Sequence, residues 1–262
     1  MIYRLYKKSQ EWFKYFHPML RGISKRVPID WVLNRSMLSN SKKYCYFRIP
    51  KCANSTIVRT FAYYDSDLTL DETDTKGASI KRTARGSLLK AKTKNIDTLA
   101  SEYFCFTFVR CPYARTLSAY LDKIVAQGAA SKFSAVRREI QILSGSSEVT
   151  FENFVTYLEN GGLYSDPHWC PQLAMLPLPS NKLAFVGRVE NLDADLEIAV
   201  NSIFGEGTYR ELATRETNRQ DAASKLTEYY TDQLADRIYF LYEDDFRTFG
   251  YTTLNSRPIS DA

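Results

Sequence analysis

The stretch Y-C-Y-F-R-I-P-K-C-A-N-S-T-I-V, residues 44–58, predicts a strand, a polar loop and the start of a helix. Residues 44–49 are β-prone and end at Pro50, and apolar residues at 57, 58, 61 and 62 recur at helical spacing. A second run, residues 103–109, is almost continuously apolar, as expected for a parallel strand that is covered on both faces. This alternation predicts an α/β domain with a mostly parallel sheet, in which ligands bind outside the carboxyl ends of the strands.

Later segments continue the alternation of strands and helices. Pro112 suits the first turn of a helix, and Gly128 is a plausible end for it. We further expect helices over residues 151–160 and 192–204, a strand over 183–186, and one long helix over 224–245.

The polar loop after the first strand has the composition of an anion site. A strand that feeds the N-terminus of a helix presents free backbone N–H groups and the positive end of the helix dipole to a phosphate. Lys51 adds a positive charge, and Ser55 and Thr56 add hydroxyl donors. The loop lacks the GxxxxGK[ST] pattern of a Walker A loop, and an ordinary helix start remains the alternative at this point.

A second polar turn follows the second strand. Arg110 leaves the strand end, and Arg115 and Ser118 lie three residues apart on one face of the following helix. Arginine binds phosphate bidentately, so this turn is a second candidate anion site. A helix with surface arginines is the alternative. Two anion sites at neighbouring strand ends fit a nucleotide with separated phosphates.

Composition excludes several classes of protein. The chain has 262 residues, of which 44% are hydrophobic and 25% charged, as in soluble globular proteins. It contains no apolar run of 18 residues, so we expect no transmembrane segment. Its five cysteines form no CxxC pair, which favours reduced thiols in the cytoplasm. Only two histidines occur, so no metal site is predicted.

Positive charge is concentrated in two segments. Residues 1–43 carry ten Lys or Arg against two acidic residues, and residues 76–94 carry seven and no acid. We divide the chain into a basic amphipathic N-terminal segment, residues 1–40, and a domain of residues 41–262. The N-terminal segment either packs onto the domain or makes a peripheral contact with a membrane surface. The segment 76–94 favours an anionic partner, although a solvated basic face is the alternative.

Five motifs in register resemble the carbohydrate sulfotransferase family that includes the chondroitin and HNK-1 enzymes, which use 3′-phosphoadenosine-5′-phosphosulfate (PAPS). The form FxRxPxxRxxSAYxDK of that family's 3′-phosphate motif matches from Phe108 to Lys123, and the strand–loop–helix unit matches its 5′-phosphosulfate loop. The further matches are Asp166–Gln172, Phe185–Leu192 and a C-terminal set formed by Tyr229–Asp232, Tyr242–Phe246 and Phe249–Tyr251.

The resemblance implies a P-loop-like, three-layer α/β fold and the transfer of a sulfuryl group to a glycan hydroxyl. By position it assigns the 5′-phosphosulfate to the loop formed by Lys51, Cys52, Ala53, Asn54, Ser55 and Thr56. It assigns the 3′-phosphate to Arg110 and Ser118, and gives Arg188 a cofactor-side or structural role. Asn54 departs from the pattern, because related loops often place Gly or Ser nearby.

In-line sulfuryl transfer needs a cation at the leaving oxygen and a base for the acceptor hydroxyl. Lys51 is the expected catalytic cation. His168 is the only histidine in the matched region and the first candidate for the general base. The alternative is that His168 only orients its loop and that a carboxylate is the base. The available carboxylates are Asp65, Asp67, Asp71, Glu72, Asp74 and Asp166.

The sequence therefore predicts a PAPS-dependent carbohydrate O-sulfotransferase. We expect a glycan acceptor and no nucleic-acid partner, and the hypothesis for residues 76–94 is that they attract an anionic glycan. The familiar animal members are Golgi enzymes with a membrane anchor, whereas this sequence favours a cytoplasmic location. A non-catalytic PAPS- or sulfoglycan-binding relative and a nucleotide-dependent kinase are the alternatives.

Overall fold

The structure, a computed structural model, describes residues 27–68, 74, 76–93, 95–126, 132–210 and 224–253. Within these residues the chain divides into two units. The sheet unit comprises residues 27–109 and 174–210, and the helical unit comprises residues 110–173 and 224–253. Residues 1–26 lie outside the described residues, so the proposed boundary between residues 40 and 41 stays a prediction.

The sheet unit is built on four strands in the order β1-β2-β3-β4. The strands are β1 (Ser36–Ser39), β2 (Tyr44–Phe47), β3 (Phe104–Val109) and β4 (Phe185–Arg188). β1 is antiparallel to β2, whereas β2, β3 and β4 are parallel. The predicted α/β fold with a mostly parallel sheet flanked by helices is confirmed.

Eleven α-helices lie in the described part of the chain. They are α1 (Ile29–Leu33), α2 (Asn54–Tyr64), α3 (Ala78–Thr83), α4 (Ile96–Glu102), α5 (Pro112–Ala119), α6 (Ser134–Ser144), α7 (Phe151–Glu159), α8 (Leu192–Phe204), α9 (Leu226–Tyr229), α10 (Asp232–Leu241) and α11 (Glu243–Phe249).

Aromatic side chains form the core of the sheet unit on one face of β2 and β3. Tyr46 stacks on Phe106 with ring centroids 4.9 Å apart, and Phe61 of α2 lies at the same distance from Phe106. Leu196 of α8 is fully buried in the same cluster. This apolar face, repeated at period two in the strands, explains why α2 and α8 pack on the sheet.

Gly187 in β4 is required by this packing. It lies opposite Phe108 in the strand register, and a Cβ atom at position 187 would come within 2.4 Å of the Phe108 ring. The Val-Gly-Arg sequence therefore has a structural cause: only glycine leaves room for the neighbouring ring.

The helical unit packs around Trp169, which is fully buried. The indole Nε1–H donates to the Gly162 carbonyl at 2.9 Å, and the Phe154 ring lies edge-on at 5.5 Å. The same core contains Tyr113, Tyr242 and other buried aromatic side chains. Trp169 thus ties the segment that follows α7 to the centre of the unit.

The predicted long helix over residues 224–245 is wrong. The chain instead forms α9, α10 and α11, because Tyr230 adopts an extended conformation and the Thr231 hydroxyl caps α10 by accepting from the Leu234 N–H. Tyr242 then breaks the helix again, with ψ of 23°.

The helix predicted after Pro112 also differs in detail. α5 passes at Tyr120 into a π-helical segment, Tyr120–Val125, in which the Ala126 N–H donates to the Leu121 carbonyl. Gly128, its expected end, lies outside the described residues. Single π-helical turns inside helices occur frequently at functional sites. No helix in the described part of the chain is long and apolar enough to cross a membrane.

We expect Gly187→Ala to lower the free energy of unfolding by about 1–3 kcal/mol, because the new methyl group overpacks against the Phe108 ring. Urea denaturation of wild type, Gly187→Ala, Phe108→Leu and the double variant measures this. Phe108→Leu replaces the ring with a smaller aliphatic side chain and should reduce the cost of the alanine. An alanine that costs the same in both backgrounds would contradict the packing argument.

Candidate functional site

The loop between β2 and α2 turns sharply at two residues that are not glycine. Lys51 and Ala53 both have positive φ, 70° and 49°. Between them the Cys52 N–H donates to the Ile49 carbonyl at 3.3 Å, and the Cys52 side chain is fully buried. Left-handed backbone costs about 1–2 kcal/mol for such residues, and strain of this kind clusters at binding sites. Ala53 is the N-cap of α2 and supplies no side-chain cap to its first turn.

Asn54 holds the first turn of α2 against the sheet. The Tyr46 hydroxyl donates to Asn54 Oδ1 at 2.9 Å. Asn54 departs from the pattern of related loops, and the contact shows what the residue does here: it links β2 to the start of α2. Ser55 and Thr56 follow it, and both are half-buried.

Ser55 has a partner that the sequence did not indicate. Lys81 of α3 donates from Nζ to Ser55 Oγ at 2.9 Å and also to the Lys76 carbonyl. The charge pattern favoured an anionic partner for the segment 76–94 without placing it, and the structure puts one of its lysines at the 51–56 loop. No local sequence pattern predicts this contact, because Lys81 and Ser55 are 26 positions apart in the chain.

Arg188 ends β4, opposite Val109 in the register. Its backbone N–H donates to the Asp195 carboxylate in α8. Because β2, β3 and β4 are parallel, Arg188 and the 51–56 loop both follow carboxyl ends of strands, as the sequence predicted for a ligand-binding edge.

In the helical unit, Gln172 fixes the backbone of Arg110. The Gln172 side-chain amide accepts from the Arg110 N–H and donates to the Arg110 carbonyl, each at 2.9 Å. Asp245 in turn accepts from the backbone N–H groups of residues 172 and 173, at 2.7 and 2.8 Å. Burial raises the pKa of Asp245, and these N–H donors and the charge of Arg115 oppose that rise. Three separate motifs are thereby joined in one network.

Arg115 orients the segment around His168. Its guanidinium is buried and donates to the Cys170 carbonyl at 2.8 Å and to the Pro167 carbonyl at 3.1 Å. Ser118, one turn further along α5, is also buried. The surface position considered for Arg115 is therefore wrong, because the side chain points into the unit and holds a loop.

His168 is paired with Asp166. Asp166 Oδ1 lies 2.5 Å from His168 Nδ1 and 2.9 Å from the His168 backbone N–H. Burial acts to raise the pKa of Asp166, but the hydrogen bonds and charge of His168 outweigh it and lower the pKa. When Nδ1 carries the proton, this hydrogen bond leaves the lone pair on Nε2, which is the arrangement that a general base needs.

The other candidate carboxylates have structural partners. Asp65 is fully buried and accepts from the Tyr44 hydroxyl at 2.9 Å, and Asp67 accepts from Ser41. Asp74 accepts from both the N–H and the hydroxyl of Ser79 at 2.6 Å. Asp71 and Glu72 lie outside the described residues. His168 with Asp166 is accordingly the best-arranged acid–base pair among the described residues.

Each unit thus brings part of the predicted set together. The sheet unit brings residues 51–53 of the loop and residues 54–56 of the first turn of α2 together beside Lys81, and Arg188 lies at another strand end. The helical unit links Arg110 to the His168 segment through Gln172. Among the described residues no group of three or more His, Cys, Asp or Glu side chains is arranged to hold a metal ion.

Comparison with known proteins identifies the family. The model of the sulfotransferase family matches residues 34–252, which covers the elements just described. The chain belongs to the sulfotransferase family. No solved structure gave a significant match.

Curated relatives of this sulfotransferase chain are carbohydrate sulfotransferases. Carbohydrate sulfotransferase 14 of Danio rerio is 25% identical over 243 residues, which are 86% of this chain and 64% of that protein. Carbohydrate sulfotransferase 8 of Mus musculus is 24% identical over 261 residues, 91% of this chain and 60% of that protein. Carbohydrate sulfotransferase 10 of Mus musculus is 24% identical over 263 residues, which are 88% of this chain and 71% of that protein. The chain therefore spans somewhat under two thirds of the length of the first two relatives.

We expect Asp245→Asn to lower the free energy of unfolding by about 1–3 kcal/mol, because the amide leaves a buried backbone N–H without its acceptor. The neighbouring Asp244 is exposed, so Asp244→Asn is the matched control and should change stability by less than about 0.5 kcal/mol. Urea denaturation measures both. Equal stabilities of the two variants would contradict the role given to Asp245.

Proposed function

We propose that this sulfotransferase moves a sulfuryl group from PAPS to a hydroxyl of a carbohydrate acceptor. The observation that carries the proposal is the family match over residues 34–252, which includes the cationic loop of Lys51 and the pair of His168 with Asp166. The carbohydrate sulfotransferase relatives support the class of acceptor.

The donor is assigned to the residues that the sequence singled out. Lys51, Ser55 and Thr56, with the backbone N–H groups of Cys52, Ala53 and Asn54, are the proposed ligands of the 5′-phosphosulfate. The uncapped first turn of α2 supports this, because its N–H groups and dipole favour an anion. Arg110 and Ser118 are the proposed ligands of the 3′-phosphate, and the amide of Gln172 supports that role by fixing the Arg110 backbone.

In the proposed reaction one sulfur–oxygen bond breaks and another forms. The acceptor oxygen attacks sulfur in line and gives its proton to His168 Nε2. The electron pair of the broken bond stays on the 5′-phosphate oxygen of the product, 3′,5′-adenosine bisphosphate (PAP). Lys51 stabilises the charge that develops on this oxygen, as positioned cations do in phosphoryl transfer. Asp166 holds the imidazole in the tautomer that accepts the proton.

An anionic glycan is the acceptor class that the surface charge favours. Lys90 and Lys92 are exposed in the basic segment and attract acidic polymers over a Debye length of about 8 Å at physiological salt. The cytoplasmic location and the peripheral membrane contact of residues 1–40 stay predictions. The nucleotide-dependent kinase loses support, because the family match is to sulfotransferases.

Isothermal titration calorimetry with PAP and with 5′-AMP tests the donor assignment. We expect PAP to bind much more tightly than 5′-AMP, since a charged hydrogen bond to the 3′-phosphate is worth about 1.5–3 kcal/mol, a factor of about 10–150 in Kd. Arg110→Ala should lose this preference, whereas Arg138→Ala, which removes an exposed arginine from the same unit, should keep it. No preference for PAP in the wild type would refute the proposed donor.

Turnover of His168→Ala and Asp166→Asn tests the base. We expect His168→Ala to lower kcat by about 10²–10⁴-fold, as is typical when a general base is removed, without a change in PAP affinity. Asp166→Asn should lower kcat less and shift the pH profile, because the neutral amide no longer supplies the negative charge beside Nδ1. A His168→Ala enzyme that keeps more than about a tenth of wild-type turnover would exclude His168 as the base.

A further inference from the structure

We propose that Lys81 is a donor-binding residue that contacts the 5′-phosphosulfate end of the nucleotide together with the 51–56 loop. This inference rests on the proposed function and adds a residue to it. Lys81 lies in the basic segment 76–94, for which the sequence left an anionic partner and a solvated face as alternatives.

The Lys81 ammonium group lies at the start of α2. Its Nζ lies 2.9 Å from Ser55 Oγ, a hydroxyl that belongs to the first turn of α2. Lys81 is itself half-buried in α3, and its second contact is the carbonyl of Lys76. An ammonium group has three donors, so an anion at the start of α2 can accept the third while the two existing contacts persist.

Positive charge accumulates around Lys81, where Arg48 and Lys76 lie near it against the carboxylate of Asp74. Arg48 ends the strand segment before the loop and is only 6% exposed. One of its amino groups donates to the Asn34 carbonyl at 2.7 Å, but its Nε has no hydrogen-bond partner among the described residues. Burial above all, with the charges of Arg35 and Arg85 in support and that of Tyr46 in opposition, lowers the pKa of Arg48 to about 10.

Lys81 shares this electrostatic environment. Burial and, after it, the charge of Arg48 lower the pKa of Lys81 to about 8. Asp74 opposes the shift and Lys76 reinforces it. The oxygen Asp74 Oδ2 already accepts from Ser79, and within the described residues no ion pair joins Lys81 to a carboxylate. Buried cations that repel one another are costly unless an anion joins them, so the cluster is suited to a bound sulfate or phosphate group.

The chemistry of Lys81 differs from that of Lys51. Lys51 lies in the strained loop at the carboxyl end of β2, whereas Lys81 approaches from α3 on the side of Ser55. Lys81 is therefore assigned to oxygens that keep their charge throughout the transfer. Such a residue acts chiefly on donor affinity.

Calorimetry with PAP and with adenosine 3′-phosphate, which lacks the 5′ group, tests this assignment. We expect Lys81→Gln to weaken PAP binding about 10- to 100-fold, as for a lost charged hydrogen bond to phosphate, and to leave the affinity for adenosine 3′-phosphate unchanged. Lys81→Arg, which keeps the charge, should retain most of the PAP affinity. Arg82→Gln removes an exposed charge from the next position of α3 and is the matched control.

The pH dependence gives a second readout. The charged groups that face Lys81 are Arg48, Asp74 and Lys76. The lowered pKa means that Lys81 is charged below about pH 8 and neutral above it. PAP affinity of the wild type should therefore fall about tenfold from pH 7 to pH 9, and Lys81→Arg should remove this fall because its guanidinium stays charged.

Two results would overturn the inference and leave the proposed function intact. In one, Lys81→Gln binds PAP as tightly as the wild type. In the other, it loses affinity for both nucleotides equally, which would mean that Lys81 only supports the loop. A wild type that shows no preference for PAP over 5′-AMP would instead refute the proposed function, and the inference with it.

Discussion

Parallel pairing of β2 with β3 is the constraint on which the candidate site depends. It sets the point at which the chain leaves β2, and the buried Tyr46, stacked on Phe106, then holds Asn54 at the start of α2. The loop between these fixed ends has to turn within a few residues, which forces Lys51 and Ala53 into left-handed backbone. A helix N-terminus that is anchored in this way keeps its N–H groups aligned before any ligand arrives, and preorganised donors of that kind lose little entropy on binding.

The helical unit distributes its motif residues between structural and chemical tasks. Three buried polar side chains form hydrogen bonds to backbone atoms, namely those of Asp245, Gln172 and Arg115. Together they fix the Arg110 backbone and the loop that carries His168. Asp166 and His168 form the hydrogen-bonded pair that we propose for proton transfer. Many of the motif residues in this unit that resemble those of sulfotransferases therefore have a structural role, and only a few side chains are candidates for a direct part in the reaction.

The sequence predicted the parts of the structure that depend on local pattern. The apolar periodicity of residues 192–204 gave the bounds of α8 correctly, and the strand at 44–49 was found within two residues. β1 was missed because Ser36–Ser39 is short and half serine. The single helix predicted over residues 224–245 was wrong because its apolar pattern continues past Thr231, where the chain ends one helix and caps the next. The contact of Lys81 with Ser55 arises from tertiary packing of α3 near α2, so no spacing rule indicates it.

The central claim, transfer of a sulfuryl group from PAPS to a glycan, is tested most directly with a labelled donor. The wild-type chain is incubated with PAPS carrying radioactive sulfur and with two polysaccharides, one rich in uronate and one neutral, and the label in each polymer is counted. We predict label in the polysaccharide, more in the uronate-rich one at low salt, and its loss in Lys51→Ala. No label in either polymer from a chain that binds PAP, or equal label with Lys51→Ala, would contradict the account.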